Sequence, residues 1–212
     1  MSYYTTERGK GLRFRAMADI VTEGDGSSRF MGALLPESEQ VNHSVFPIYR
    51  PDEIEISLSD GSSALPASPR KVYIQGQKVA FFKPVGAGDV NSTCRELKAY
   101  ARLKSTTFSE AIYTCRLLGI VHLPSSGLIA GLLLSYIDCN NTTLLCIGED
   151  LQYISMRQKW LTQITRSIEG LHMCGAVWGD AKPDKVLIDT QYDAYLIDLG
   201  GDYSKGWVDK NQ

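Results

Sequence analysis

The segment that most constrains the fold spans residues 177–200 and reads VWGDAKPDKVLIDTQYDAYLIDLG. It contains two short runs of apolar, β-prone residues, 186–188 and 194–197, which are separated by a polar stretch. Such runs around a polar turn predict two antiparallel strands joined as a β-hairpin. Any fold of this chain must therefore bring the segment before the first strand and the segment after the second strand to one end of the hairpin.

Three charged residues flank the predicted hairpin. Asp180 and Lys182 lie in the loop that enters the first strand, and Asp198 follows the second strand, directly before Leu199 and Gly200. Because an antiparallel pair places these two segments at the same end, we expect the two carboxylates and the ammonium to lie close together. The alternative is that three charged side chains lie on the surface of a hairpin and share no role.

This arrangement resembles the catalytic loop and the metal-binding loop of the protein-kinase fold. The sequences GDAKPD, LIDLGG and GWVD (206–209) resemble fungal kinase-like proteins in particular. The resemblance implies an α+β, protein-kinase-like fold in a minimal or truncated form, with a β-rich N-terminal lobe that carries one main helix and a short, reduced C-terminal lobe. It divides the chain into an N-terminal extension (1–50), the N-lobe (51–137) and the C-lobe (138–212).

The same resemblance implies a role for each of the three charged residues. Asp180 would orient the attacking hydroxyl or accept its proton, and Lys182 would stabilise charge on the transferring phosphoryl group. Asp198 would hold Mg²⁺, which suits a carboxylate because magnesium prefers oxygen ligands. The implied cofactors are therefore ATP and Mg²⁺.

Two residues upstream extend the resemblance to the nucleotide site. A strand predicted for 78–85 carries Lys83, and a helix predicted for 93–104 carries Glu96. In kinases the corresponding lysine contacts the nucleotide phosphates, and the glutamate pairs with that lysine. The residues alone leave two alternatives open, since Lys83 also fits a solvent-facing strand position and Glu96 also fits a capping box with Thr93.

Tyr136 and Ile137 complete the expected nucleotide site. They follow the last strand predicted for the N-lobe, at the place where a kinase hinge links the lobes and offers backbone groups to adenine. The alternative interpretation of these two residues is an ordinary strand end.

Three features depart from the kinase pattern. The loop 59–70, where a kinase carries its glycine-rich phosphate cover, contains only Gly61. Lys185 stands where the family has a metal-binding asparagine, and an ammonium cannot ligate Mg²⁺, so Lys185 would contact phosphate or displace one metal ion. Only twelve residues follow Gly200, which leaves no room for a full activation segment or for the remaining C-lobe helices.

Periodicity predicts the remaining elements. Two further helices are expected, at 109–118 and 155–173, the second with an apolar face formed by Trp160, Leu161, Ile164, Ile168 and Leu171. Five strands are expected in the N-lobe, at 54–58, 71–74, 78–85, 121–123 and 128–134. The N-terminal extension, to which we assign no chemistry, is expected to contain a strand, a turn, a returning strand and a loop, at 12–20, 24–26, 31–35 and 36–50.

Composition narrows the class of protein. The chain has 22 Lys and Arg against 24 Asp and Glu, and the net charge of −2 argues against a broad surface for nucleic acid or for an anionic membrane. The longest apolar run is too short to span a bilayer. Five cysteines without a Cys-x-x-Cys pair fit reduced thiols, so we expect a soluble, cytoplasmic protein.

The sequence thus predicts an atypical phosphotransferase that uses ATP and Mg²⁺ and acts on a small molecule or a protein. Two alternatives stay open: a pseudokinase that serves as a binding or regulatory module, and a kinase-like fold adapted to other small-molecule chemistry. The expected partners are a nucleotide and either a second copy of the chain or another protein. Such a partner would cover the apolar face of helix 155–173, which a reduced C-lobe leaves exposed.

Overall fold

The computed structural model describes residues 13–16, 45–58, 71–124 and 126–201. The chain forms two compact units, and each is described by itself below. The first unit comprises Met1–Val90 and Leu117–Tyr136, and the second comprises Asn91–Arg116 and Ile137–Gln212. The architecture is mixed, with a large sheet and few helices, and this agrees with the predicted α+β class.

The first unit contains a seven-stranded sheet. Its strands are β1 (Arg13–Ala16), β2 (Ile48–Tyr49), β3 (Ile54–Leu58), β4 (Lys71–Ile74), β5 (Lys78–Pro84), β6 (Leu117–Leu123) and β7 (Leu128–Ser135). They lie in the order β1-β3-β4-β5-β7-β6-β2, and all neighbours are antiparallel except β2 and β6, which are parallel.

Alternating apolar residues build the core of this sheet. In β5, Ala80 and Phe82 are fully buried while their neighbours Val79, Phe81 and Lys83 are partly exposed, as the two-residue period of a strand requires. Gly131 of β7 permits the contact with β5, because a Cβ at this position would collide with the ring of Phe82. The buried cluster consists of Ile54, Ile56, Val72, Ile74, Ala80, Phe82, Val121, Ala130 and Leu133.

The strands predicted for 54–58, 71–74, 78–85 and 128–134 are confirmed to within one residue. The helix predicted for 109–118 is wrong, since only Ser109–Ala111 form a short 3-10 helix and Leu117 begins β6. Pairing of β6 with β7 buries Leu117, Ile120 and Val121, and this tertiary contact outweighs the local helical pattern.

The described sheet also has two strands more than the predicted five, because β1 and β2 join its edges. β1 coincides with the strand expected within 12–20, whereas the loop expected at 36–50 contains the short strand β2. The parallel pairing of β2 with β6 depends on Gly119, because a Cβ there would collide with the ring of Tyr49. The turn 24–26, the strand 31–35, the glycine-poor loop 59–70 and the motif 206–209 lie outside the described residues.

The described part of the second unit contains three α-helices and one hairpin. The helices are α1 (Val90–Lys104, of which all but Val90 belongs to this unit), α2 (Leu144–Ile147) and α3 (Arg157–Met173), and the strands are β8 (Val186–Ile188) and β9 (Ala194–Leu196). Short 3-10 helices span Leu151–Met156 and Pro183–Lys185. The predicted helices 93–104 and 155–173 correspond to α1 and α3.

Two details of these helices differ from expectation. α1 begins at Val90, so Thr93 is buried inside the helix and is not its N-cap, which removes the capping-box interpretation of Glu96. α3 buries Trp160 and Leu171 of its predicted apolar face, so this part of the face is covered and not left exposed as expected, whereas Leu161 is 59% exposed. The other buried residues of α3 are Gln163, Ser167 and Gly170. Gln163 bonds to the hairpin, the Ser167 hydroxyl accepts from the N–H of Tyr113, and Gly170 packs against Ile112, so polar contacts as well as apolar ones determine which face packs.

Candidate functional site

The β8-β9 hairpin predicted from 186–197 is confirmed. Val186 pairs with Leu196 and Ile188 pairs with Ala194 in antiparallel register. The carboxylate of Asp189 closes the turn, since its Oδ1 accepts hydrogen bonds from the backbone N–H groups of Gln191 and Asp193, both at 2.8 Å. Local polar chemistry therefore forms this turn, as the sequence indicates.

Helix α3 fixes the turn end of the hairpin. The indole Nε1 of Trp160 donates to the carbonyl oxygen of Tyr192 over 3.1 Å. Gln163 makes two bonds, donating to Asp193 Oδ1 at 2.6 Å and accepting from the backbone N–H of Ala194 at 3.0 Å. Both helix residues are buried, so these bonds hold the hairpin in one position.

The segment before β6 fixes the last residue of β9, Leu196. The backbone N–H of Leu196 donates to the carbonyl oxygen of Tyr113 at 2.9 Å, and the Thr114 hydroxyl donates to the Leu196 carbonyl at 2.7 Å. Both backbone groups of Leu196, two positions before Asp198, are thus hydrogen-bonded. This contact positions the segment that carries the second predicted carboxylate.

Asp180 and Lys182 form an ion pair. Lys182 Nζ lies 2.6 Å from Asp180 Oδ1, and the side chains are 44% and 19% exposed, respectively. The hydrogen bond to Asp180 raises the pKa of Lys182, aided by the charges of Asp180, Asp184 and Asp198, while its partial desolvation acts in the opposite direction. Lys182 is therefore an ammonium at neutral pH.

Asp198 forms an ion pair with Lys185. Lys185 Nζ lies 2.8 Å from Asp198 Oδ2, with both side chains about a quarter exposed. Asp198 has a left-handed backbone with φ 64°, a conformation that is uncommon outside glycine, although aspartate adopts it more readily than most residues. Such conformations often occur at functional sites, where surrounding contacts maintain them.

Contacts with α1 and with Asp180 hold the segment after Asp198. The carbonyl oxygen of Gly200 accepts hydrogen bonds from Ser92 Oγ and Arg95 Nε, both at 3.1 Å. A Cβ at Gly200 would lie 2.5 Å from the Ser92 carbonyl oxygen, and a Cβ at Gly201 would collide with Cβ of Asp180. The structure therefore brings Asp180 next to the segment that begins at Asp198, as the hairpin argument predicts.

These residues do not offer a ready magnesium site. Asp198 already contacts the ammonium of Lys185, and Asp180 contacts that of Lys182. Within the described residues, no group of three His, Cys, Asp or Glu side chains could hold a metal ion. Mg²⁺ is usually held by one or two carboxylates together with phosphate and water, but both carboxylates here are bonded to ammonium groups, so this arrangement does not fit the ion.

The predicted nucleotide-binding residues are divided between the two units. Lys83 lies on β5 in the first unit, opposite Leu132 of β7. Glu96 lies on α1 in the second unit and is only 1% exposed. The predicted pairing of Lys83 with Glu96 stays a prediction.

Tyr136 and Ile137 lie at the boundary of the units. The chain passes from the first unit to the second between these two residues. The ring of Tyr136 packs under the ammonium of Lys71, at 4.6 Å from its centroid, which is a cation–π distance. Their expected contact with adenine stays a prediction.

Sequence reasoning did not identify the residues that support this site. Ser92 and Arg95 precede Glu96 on α1, and Gln163 and Thr114 bond to the hairpin from distant parts of the chain. Helical spacing indicates that Ser92, Arg95 and Glu96 lie near one another on α1, but no local pattern shows that they face Gly200. Gln163 had one available signal, a polar residue among apolar residues on a helix face.

The second unit also contains an open groove that is separate from these residues. It has a volume of about 730 Å³ and lies along α3 and the segment 108–113, with Tyr113, Arg166 and Met173 among its lining residues. None of the predicted site residues lines it. We therefore place the candidate site at the loops around the hairpin, where charged groups and the left-handed Asp198 occur together.

No protein-family model matches the sequence, and no curated protein is significantly similar to it. In the part of the chain that the structure describes, no helix is both long and apolar enough to cross a membrane.

Proposed function

We propose that the chain is an atypical, kinase-like phosphotransferase that uses a nucleoside triphosphate such as ATP and acts on a hydroxyl group. The observation that carries this proposal is the arrangement of Asp180, Lys182 and the segment after Asp198 around one end of the hairpin. Phosphoryl transfer depends on positioning and on charge neutralisation, so a carboxylate beside an ammonium supplies its two main requirements.

In the proposed reaction, Asp180 accepts the proton of the acceptor hydroxyl as that oxygen attacks the γ-phosphorus. The bond between the γ-phosphorus and the β,γ-bridging oxygen breaks, and its electron pair leaves with the nucleoside diphosphate. Lys182 stabilises negative charge on the γ-phosphoryl oxygens during this step. Protonation of Asp180 also removes the negative charge that holds Lys182, and the ammonium then interacts more strongly with phosphate.

Lys83 and Glu96 are proposed to position the nucleotide phosphates, and Tyr136 and Ile137 to contact the base. The burial of Glu96 supports a structural or binding role for its carboxylate, since a buried carboxylate needs a cation or hydrogen bonds. The Mg²⁺ expected from the kinase resemblance is not part of this proposal, because Asp180 and Asp198 are each bonded to an ammonium, and no step above depends on it.

A binding titration tests the proposal. Wild-type chain is titrated with a non-hydrolysable ATP analogue by calorimetry, beside Lys182→Met and the control Lys159→Met. Lys159 is also ion-paired, at 2.8 Å to Asp193, but its partner lies in the turn of the hairpin. We expect Lys182→Met to weaken binding about tenfold or more, as loss of a charged hydrogen bond does, and the control to stay near wild type.

Absence of analogue binding by a folded wild-type chain would contradict the proposal. Equal effects of the two lysine substitutions would also contradict it, because the ammonium beside Asp180 would then have no special role. Thermal unfolding of each variant shows whether the fold is intact.

One observation favours a second candidate function, a pseudokinase that binds nucleotide or a protein without catalysis. The ammonium of Lys185 is paired with the carboxylate of Asp198, the group that the kinase resemblance assigns to magnesium binding. A pseudokinase would bind the analogue with the same lysine dependence but would not turn over ATP. Binding and turnover measured on one preparation therefore distinguish the two functions.

The protein partner expected for the second unit remains a proposal supported by exposure. Large apolar side chains of this unit are strongly exposed, namely Leu151 at 75%, Ile154 at 61%, Leu161 at 59% and Met173 at 74%. Apolar surface of this kind favours association. Light scattering at increasing concentration is expected to show a rising mass, and a constant monomer mass would argue against self-association.

A further inference from the structure

Lys185 is positioned by its backbone as well as by its side chain. It ends the 3-10 helix Pro183–Lys185, and its N–H donates to the Lys182 carbonyl at 3.0 Å. Its own carbonyl accepts from the N–H of Ile197, the residue before Asp198, also at 3.0 Å. This bond extends the hairpin ladder by one step beyond the Val186–Leu196 pair, and it fixes Lys185 beside Asp198.

The side-chain contact follows from this backbone arrangement. With Lys185 and Ile197 directly bonded across the hairpin, the ammonium needs only to reach the next residue, and it contacts Asp198 Oδ2 at 2.8 Å. The two side chains are 28% and 26% exposed, so solvent competes with the contact only in part. A charge-assisted bond of this length in a partly desolvated position is among the stronger polar contacts.

An ammonium and a divalent cation cannot share this carboxylate without cost. Mg²⁺ binds carboxylate oxygen at about 2.1 Å, which would bring two positive centres close together on one side chain. Their repulsion increases as water is excluded. Lys185 also offers a metal ion no ligand, because an ammonium has no lone pair to donate.

We infer that Lys185 is the resident cation of the Asp198 carboxylate and excludes a divalent metal ion from it. The inference has a second part, which rests on the proposed function and deepens it. Because the ammonium of Lys185 neutralises Asp198, the site binds a triphosphate without requiring a divalent ion there. The ligand class is a polyphosphate in its metal-free form.

Metal binding alone tests the first part. The full chain is titrated with Mn²⁺, followed by electron paramagnetic resonance of the free ion, without nucleotide. Wild type is compared with Lys185→Asn, with the double variant Lys185→Asn/Asp198→Asn, and with Lys159→Asn, which breaks an ion pair of the same length at Asp193. Lys185→Gln serves as a second variant that also supplies an amide oxygen, should Lys185→Asn fail to fold.

We expect Lys185→Asn to gain a Mn²⁺ site that binds about tenfold or more tightly than any site of wild type, as gain of a ligand and loss of a repelling charge require. The double variant is expected to lose that site, and Lys159→Asn is expected to behave as wild type. Equal Mn²⁺ binding by wild type and Lys185→Asn, or a gain that persists without Asp198, would overturn the inference.

Nucleotide binding tests the second part. Wild type is expected to bind a non-hydrolysable ATP analogue with similar affinity in EDTA and in excess Mg²⁺, whereas Lys185→Asn is expected to bind more tightly with Mg²⁺. If wild type loses binding of the ATP analogue in EDTA and regains it with Mg²⁺, the second part of the inference is overturned. If no analogue binds in either condition, the proposed function and this second part fail together, while the Mn²⁺ titration still decides whether Lys185 excludes metal.

Discussion

Arg95 of α1 donates a hydrogen bond through Nε to the carbonyl oxygen of Gly200, over 3.1 Å. Ser92, one helical turn earlier, donates to the same oxygen through its hydroxyl. The segment that begins at Asp198 is therefore fixed at its far end by a helix that also carries the buried Glu96. Any change in the position of α1 would move this segment and the carboxylate within it.

Arg95→Leu removes the charged donor of this contact and keeps the aliphatic part of the side chain. We expect the free energy of unfolding to fall by about 1–2 kcal/mol, as loss of a hydrogen bond from a charged group does. Affinity for an ATP analogue should fall as well, because Asp198 loses support. The measurements are chemical denaturation and calorimetry, and Asn91→Ala, at an exposed position of the same helix, is the control. Equal effects of both variants would show that the Arg95 contact is unimportant.

Gly200→Ala tests how closely α1 approaches the same segment. The new Cβ would lie 2.5 Å from the Ser92 carbonyl oxygen and 2.9 Å from Cβ of Glu96, so the backbone must shift. We expect a loss of about 1–3 kcal/mol in unfolding free energy, the usual cost of overpacking. Gly88→Ala is the matched control, since nothing lies within 4 Å of its added Cβ. A neutral Gly200→Ala would contradict this packing.

Gln163→Ala removes the two hydrogen bonds that this side chain makes to Asp193 and Ala194, at the start of β9. The buried N–H of Ala194 would lose its acceptor, and an unsatisfied buried group costs about 1–3 kcal/mol. Thermal or chemical unfolding measures this loss. Gln158→Ala, an exposed glutamine on the same helix, should change stability by no more than about 0.5 kcal/mol. Similar results for the two variants would mean that Gln163 does not support the hairpin.

The carboxyl of Asp193 is expected to make a pH-dependent contribution to the free energy of unfolding. Burial alone would raise the pKa of its carboxyl, but hydrogen bonds from Lys159 and Gln163 outweigh burial and hold the pKa below its usual value. A lowered pKa in the folded state means that the contribution is present above about pH 4, the ordinary pKa of aspartate, and is lost as the pH falls through the folded value.

The measurement is the free energy of unfolding of wild type and of Asp193→Asn across acidic and neutral pH. At neutral pH the wild type is expected to be more stable by no more than about 1 kcal/mol, because the pair is partly exposed. The difference should shrink as the pH falls below about 4. A difference that stays constant with pH would show that the Asp193 charge has no part in it.

The sequence predicts well those elements whose cause is local. The β8-β9 hairpin follows from two apolar runs around a turn that Asp189 closes, and α3 ends where Gly175 adopts a positive φ of 74°. β6 was mistaken in part for a helix because its first residues are apolar in a pattern that also suits a helix. Only the pairing with β7, a distant segment, decides between them.

In the candidate site, too, some contacts follow from local sequence and others depend on distant parts of the chain. The proximity of Asp180 to the segment after Asp198 follows from hairpin geometry, and Lys182 lies beside Asp180 because it follows two positions later in the same loop. The support from Arg95 depends on the packing of a helix far away in the chain, which no local pattern specifies. The ion pair of Lys185 with Asp198 lies between these cases, because both residues are local to the hairpin but their contact depends on one additional ladder bond.

Phosphoryl transfer from ATP is the most direct test of the proposed chemistry. Release or transfer of the γ-phosphoryl group is followed with wild type and with Asp180→Ala, in millimolar Mg²⁺ and in EDTA, together with Asp184→Asn as a control for loss of a nearby exposed carboxylate. We predict turnover by wild type that Asp180→Ala abolishes and Asp184→Asn retains. Absence of turnover by a wild-type chain that binds ATP, or turnover that survives Asp180→Ala, would contradict the proposal that this site is a phosphotransferase.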